Sequence, residues 1–126
     1  MLVLVMVSGC ASNRAAFSAA PEPENGINHV IVCWLKEPGN ADACRQLIER
    51  SKSFTRIPGI RSIGVGRSLP STRPVVDSSF DVALVIHFES EQALRDYDQN
   101  PIHVQAVKEV LQPLVKKFVI YDFRNE

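Results

Sequence analysis

The residues best suited to chemistry sit around a broken helix. The stretch Glu89–Val107, ESEQALRDYDQNPIHVQAV, carries Tyr97 before Asn100-Pro101 and His103 after it. An imidazole is half charged near neutral pH and can take and return a proton. A buried phenol can donate to oxygen charge developing on an enolate or alkoxide. An unbroken helix would rotate residues six apart by ~600°, leaving them ~120° apart around its axis. Pro disfavours helical backbone in the residue before it, yet it suits the first position of a new helix. The break can therefore turn both side chains toward one cavity. His29 is the third candidate. Each also has a packing explanation. A histidine after Asn-Pro can serve a helix end or a backbone carbonyl, His29 can be a satisfied core histidine, and Tyr97 lies on an apolar face.

The elements that must position these residues can be read in order. INHVIVCWLK (Ile27–Lys36) is β-branched and reads as a strand. Pro38-Gly39-Asn40 ends it, and Asn40 can cap a helix running to about Thr55, with Cys44, Leu47, Ile48, Ser51 and Phe54 on or near one face. RSIGVGRS (Arg61–Ser68) is a short strand whose glycines suggest a bulge or close contact, and a loop with two prolines follows. FDVALVIHFE (Phe80–Glu89) alternates, with Val82, Leu84, Ile86 and Phe88 on one face and Asp81, Ala83, Val85 and His87 on the other. Ser90 caps a short helix bearing Ala93, Leu94 and Tyr97. Pro101–Lys116 is a second, reoriented helix with an inner stripe of His103, Val107, Val110 or Leu111, and Leu114; Pro113 should kink or shorten it. FVIYDF (Phe118–Phe123) is the last strand. The order β-α-β-β-α-α-β predicts an α+β fold with helices on one face of a sheet.

Composition narrows the partners. The chain has 126 residues, 14 basic and 14 acidic side chains. That length fits one domain, and without a basic excess a nucleic-acid partner is disfavoured. GVGRSLP lacks GxGxxG, so a nucleotide site is not expected. The three histidines are scattered and no acidic cluster joins them, so no metal site is expected either. Cys33 and Cys44 allow two readings: a disulfide closing a short loop, worth ~3 kcal/mol if unstrained, or two buried thiols acting as small hydrophobes. His87 falls on the face opposite Leu84, as an interface or rim residue, with Asp81 beside it as a possible interface hydrogen-bonding group.

The N-terminus reads as a targeting segment. MLVLVMVSGCAS is an apolar run followed by small residues. Val7-Ser8-Gly9-Cys10 resembles the bacterial lipobox, in which the cysteine is diacylated and becomes the mature N-terminus. That divides the chain into a signal peptide (1–9), a lipidated Cys10 with a flexible tether (10–26) and a folded domain (27–126). The tether is small, polar and proline-containing, with a span of roughly 20–25 Å. Ala11 is not the aspartate typical of inner-membrane retention, so the expected location is the cell envelope, on the periplasmic face and leaning to the outer membrane.

HVIVCWLK, IPGIRSIGVGRSL, FDVALVIHFESEQALRDYDQNPIHVQAV and FVIYDF resemble, in that order, the stress-responsive A/B barrel (Dabb) family over essentially all of Ile27–Phe123. The resemblance implies a ferredoxin-like fold whose open sheets pack pairwise into a dimeric α/β barrel. Such a homodimer would cover Val30, Val32, Trp34 and Val85, which would otherwise be exposed. The sequence is similar at His29, Tyr97 and His103 to Dabb members that are polyketide cyclases needing no cofactor. This implies His103 as general base, Tyr97 as donor to the substrate oxygen and His29 as a positioning or polarising group. Ile31, Cys33, Leu84 and Val107 are expected to line the pocket for a small apolar ligand. Related dimeric barrels include haem-degrading oxygenases, but beyond His103 as an axial ligand nothing in the sequence asks for haem. A non-catalytic, stress-related dimeric binding module is the alternative function.

The expected lipidation is directly testable. Protein expressed in its own envelope should carry diacylglyceryl mass on Cys10 and float with membranes. Cys10→Ser should move it to the soluble fraction, and a variant that still floats would count against the anchor.

Overall fold

A computed structural model describes residues 25–126; the apolar run, Cys10 and nearly all of the expected tether lie outside the described residues. The elements are β1 (Ile27–Leu35), α1 (Ala41–Lys52), a 3-10 turn (Ser53–Arg56), β2 (Ile60–Arg67), β3 (Val82–Phe88), α2 (Glu91–Gln99), α3 (Pro101–Ala106) and β4 (Val115–Arg124). Between α3 and β4 the helix continues through a π-wound segment (Val107–Leu111) and a last turn (Gln112–Leu114). The four strands form one antiparallel sheet in the order β2-β3-β1-β4. Helices cover one face. This is a ferredoxin-like α+β fold.

β1 lies in the middle of the sheet because it has the most continuous apolar sequence. Its residues alternate between faces. Ile27, His29, Ile31, Cys33 and Leu35 are buried beneath the helices, with Val82, Leu84, Ile86 and Phe88 of β3 beside them. Leu35, Ile86 and Phe88 are wholly buried. Val30, Val32, Trp34, Ala83, Val85 and His87 face the other way and are half-buried in the single chain.

Capping residues set the helix starts. The Asn40 side chain accepts from Asp42 N and Ala43 N, and Ser90 Oγ accepts from Ala93 N. Asn100 serves two helices: its N–H donates to Tyr97 O at the end of α2, and its side-chain oxygen accepts from Ile102 N at the start of α3.

Several expectations are corrected. α1 ends at Lys52 and tightens into the 3-10 turn that carries Phe54, rather than running as α-helix to Thr55. The reoriented helix is not uniform to Lys116. Pro113 has no N–H, and its ring crowds the carbonyl four residues back. The chain responds by widening just before it: Gln112 N–H reaches Val107 O, five residues back. β4 then begins at Val115, earlier than Phe118. β3 starts at Val82 rather than Phe80, although Asp81 N still donates to Cys33 O. The Asp81 carboxylate accepts from Leu35 N at 2.8 Å and Gly39 N at 2.7 Å, closing the end of β1 within the chain. Cys33 and Cys44 are buried free thiols, not a disulfide.

Gly59 precedes β2 with φ +85°. A Cβ placed on it would fall 2.5 Å from Ala93 Cβ of α2. Positive φ and close approach both require glycine here. Gly59→Ala should lower stability by about 2–4 kcal/mol, read as a reduced urea midpoint at unchanged m-value.

Candidate functional site

A cavity of about 250 Å³ lies between the helix-side face of the sheet and the helices. β1 contributes His29, Ile31 and Cys33, and β3 contributes Val82 and Leu84. α1 and its 3-10 turn contribute Leu47, Arg50 and Phe54. Tyr97 comes from α2, His103 and Ala106 from α3, and Val107, Val110 and Leu111 from the π-wound segment. All seven residues expected at the site, His29, Tyr97, His103, Ile31, Cys33, Leu84 and Val107, border this one cavity. His87 does not; it lies on the opposite face, paired with Asn28 and Ser62.

The break at Asn100-Pro101 brings Tyr97 and His103 together. Their rings stack with centroids 4.1 Å apart and planes tilted by 33°. Phe54 meets both edge-on, at 5.6 Å from Tyr97 and 5.9 Å from His103. On the other side Tyr97 makes edge contacts with His29 at 5.7 Å and Phe88 at 5.2 Å. The three polar rings thus form a continuous row, His29–Tyr97–His103, held by phenylalanines.

Burial acts in opposite directions on the last two. Removal from water disfavours charged forms. It pushes the Tyr97 phenol well above its ordinary 10, and the nearby charge of Asp98 adds to this. The same desolvation holds His103 below 6.5, outweighing the Asp98 carbonyl and carboxylate that pull it up; His29 adds to the lowering. Near pH 7, Tyr97 is a proton donor and His103 is a neutral base. His103 Nδ1 lies 3.3 Å from the Asp98 carbonyl oxygen. As a donor there it leaves Nε2 with its lone pair free. Burial also lifts the Cys33 thiol to about 11, so it is an uncharged wall rather than a nucleophile.

His29 has a partner that sequence reasoning missed. Its Nδ1 lies 2.5 Å from Asp122 Oδ1, and the two residues are directly opposed across β1 and β4. The imidazole is buried and the carboxylate half-exposed, at 7% and 48%. A carboxylate can only accept, so Nδ1 carries a proton, and in the neutral tautomer Nε2 is the acceptor. The signal was alternation in FVIYDF, which puts Phe118, Ile120 and Asp122 on one face; pairing register was needed to set that face beside His29. Arg50, Asp98, Ala106, Phe118 and Ile120 are the other wall residues missed. Among the described residues no group of three or more His, Cys, Asp or Glu side chains is placed to hold a metal ion.

Comparison with known proteins agrees with this architecture. The family model described as Stress responsive A/B Barrel Domain (Dabb) matches residues 27–125. No curated protein is similar enough to match. Among solved structures, a Dabb family protein with a ferredoxin-like fold from Mesorhizobium loti is 25% identical, with a TM-score of 0.64 over 79% of this chain and 96% of that one. A dimeric ferredoxin-like protein of unknown function from Thermobifida fusca is 22% identical, with a TM-score of 0.67 over 84% and 96%. Hydroxynitrile lyase from Passiflora edulis shares the fold at 18% identity, with a TM-score of 0.71 over 82% and 96%.

The Asp122 contact predicts a tautomer. In the wild type the neutral His29 ring should carry its proton on Nδ1, visible in the side-chain ¹⁵N shifts. Asp122→Asn, which can donate instead, should shift the neutral ring toward the Nε2–H form with the fold intact. Unchanged shifts would show that the carboxylate does not set the ring.

Proposed function

Because the chain belongs to the Stress responsive A/B Barrel Domain family, we propose that it is a membrane-anchored homodimer catalysing cofactor-free acid–base chemistry on a small apolar carbonyl or enol compound. The observation that carries this reading is the Tyr97–His103 stack on the wall of a largely apolar cavity. His103, neutral near pH 7, takes a proton from the carbon next to the carbonyl. Tyr97, protonated, donates to the oxygen on which the charge collects. Asp122 orients His29, whose Nε2 is the third polar atom of the row. Ile31, Cys33, Leu84 and Val107 hold the apolar part of the ligand.

The homodimer draws support from the relatives described as dimeric and from the uncovered sheet face. Val30, Val32 and Trp34 line that face beside Val119, Tyr121 and Phe123, and Tyr121 and Phe123 are 59% and 54% exposed. Burying such a stripe against a second copy removes it from water. Lipidation at Cys10 would place the dimer on the periplasmic side of the envelope.

One observation favours a binding module without turnover. His103 is engaged with the Asp98 carbonyl, and the aromatic cluster packs without needing a substrate. The two readings separate in deuterium wash-in at the α-carbon of 2-octanone, followed by NMR. His103→Ala should slow exchange by about 10²–10⁴ and Tyr97→Phe by a similar range. The rate should fall only below pH 6.5, as His103 becomes protonated, and stay level to at least pH 10, since the Tyr97 phenol is raised. Wild-type exchange no faster than either folded variant leaves the binding module as the function.

A further inference from the structure

The cavity has one polar feature that chemistry at Tyr97 and His103 leaves unused. Arg50, in the last turn of α1, lines it. Its Nη2 donates to Glu109 Oε2 at 2.6 Å, joining α1 to the π-wound segment. Both partners stay in contact with solvent, at 35% and 53% exposure. An ion pair of this kind contributes little to stability and is easily exchanged.

We infer that Arg50 is the anchor for an acid group on the ligand, which takes the guanidinium over from Glu109 on entry. The inference rests on the reading of this cavity as a ligand site. The ligand class is then an oxo acid: an apolar body, a neutral carbonyl and a carboxylate.

The charges on and next to the cavity wall support this orientation. Among the described residues lining it, Arg50 is the one lasting cation. Asp98 stands beside Tyr97 and His103, and Asp122 beside His29. An anionic group is repelled from that end and drawn to Arg50, which leaves the neutral carbonyl at Tyr97. The other polar side chain near Arg50 is already used: the Ser51 hydroxyl donates to Leu47 O at 2.8 Å. The guanidinium fork matches a carboxylate through two parallel hydrogen bonds. Arg50 also lies four residues before Phe54, the ring that touches both Tyr97 and His103.

Two probes of equal chain length, octanoate and 1-octanol, isolate the anchor by titration calorimetry at pH 7. Arg50→Met keeps the apolar stem and removes the charge. It should weaken octanoate roughly tenfold and leave octanol unchanged. Arg50→Lys keeps the charge but loses the two-pronged geometry and should recover only part of the octanoate affinity, and Glu109→Gln should strengthen octanoate about threefold by freeing the guanidinium. If wild type binds octanol but Arg50→Met changes the two probes equally, or octanoate not at all, the anchor is overturned while the cavity reading stands. If wild type binds neither probe, both fall.

Discussion

The register of β1 between its two neighbours is the constraint from which the site follows. Antiparallel pairing sets His29 opposite Ile86 on one side and Asp122 on the other. A slip of one residue would exchange the two faces of the strand. His29, Ile31 and Cys33 would turn outward and Val30, Val32 and Trp34 would enter the core. The register is held by the apolar alternation itself and by Asp81, whose carboxylate ties Leu35 N and Gly39 N at the strand's end. At the opposite end the Asn28 side chain donates to Asn125 Oδ1 and Asn125 N donates to Gly26 O.

The helices add what a sheet cannot. Side chains from neighbouring strands stand side by side, whereas Tyr97 and His103 must stack. Asn100 achieves this by ending one helix and starting another at a single residue, with Pro101 supplying a first position that needs no N–H. The resulting row of rings is buried enough to keep the phenol protonated and the imidazole neutral. One environment thus prepares a donor and a base by the same desolvation, with no fixed charge required between them.

Element order, the faces of β1 and β3, both helix caps and the break before His103 were legible because they depend on local pattern: alternation, Asn or Ser before an apolar helix, and Asn-Pro. What was not legible depends on contacts between distant segments. Asp122 was visible only as a polar residue in the last strand; its role required the pairing of β1 with β4. Asp81 looked like an outward residue on an alternating strand, but its carboxylate turns back to the Leu35 and Gly39 amides, a contact that only the pairing of β1 with β3 reveals. Pro113 announced a disturbance without its form, since a kink, a stop and a widened turn all accommodate a missing N–H. Cys33 and Cys44 share the core without bonding, which sequence spacing alone could not decide.

The widened turn has a consequence for how this cavity can vary. A π-wound segment holds one residue more than the α-helix that would cover the same length. Removing a residue between Ala106 and Gln112, with Pro113 replaced so that the α-helical carbonyl is no longer crowded, can therefore restore regular winding without moving Pro101 or the start of β4. The wall formed by Val107, Val110 and Leu111 can be shortened by that one residue while the strand register stays fixed. Chain length at this point is a tuning parameter for cavity size, independent of the sheet that carries His29.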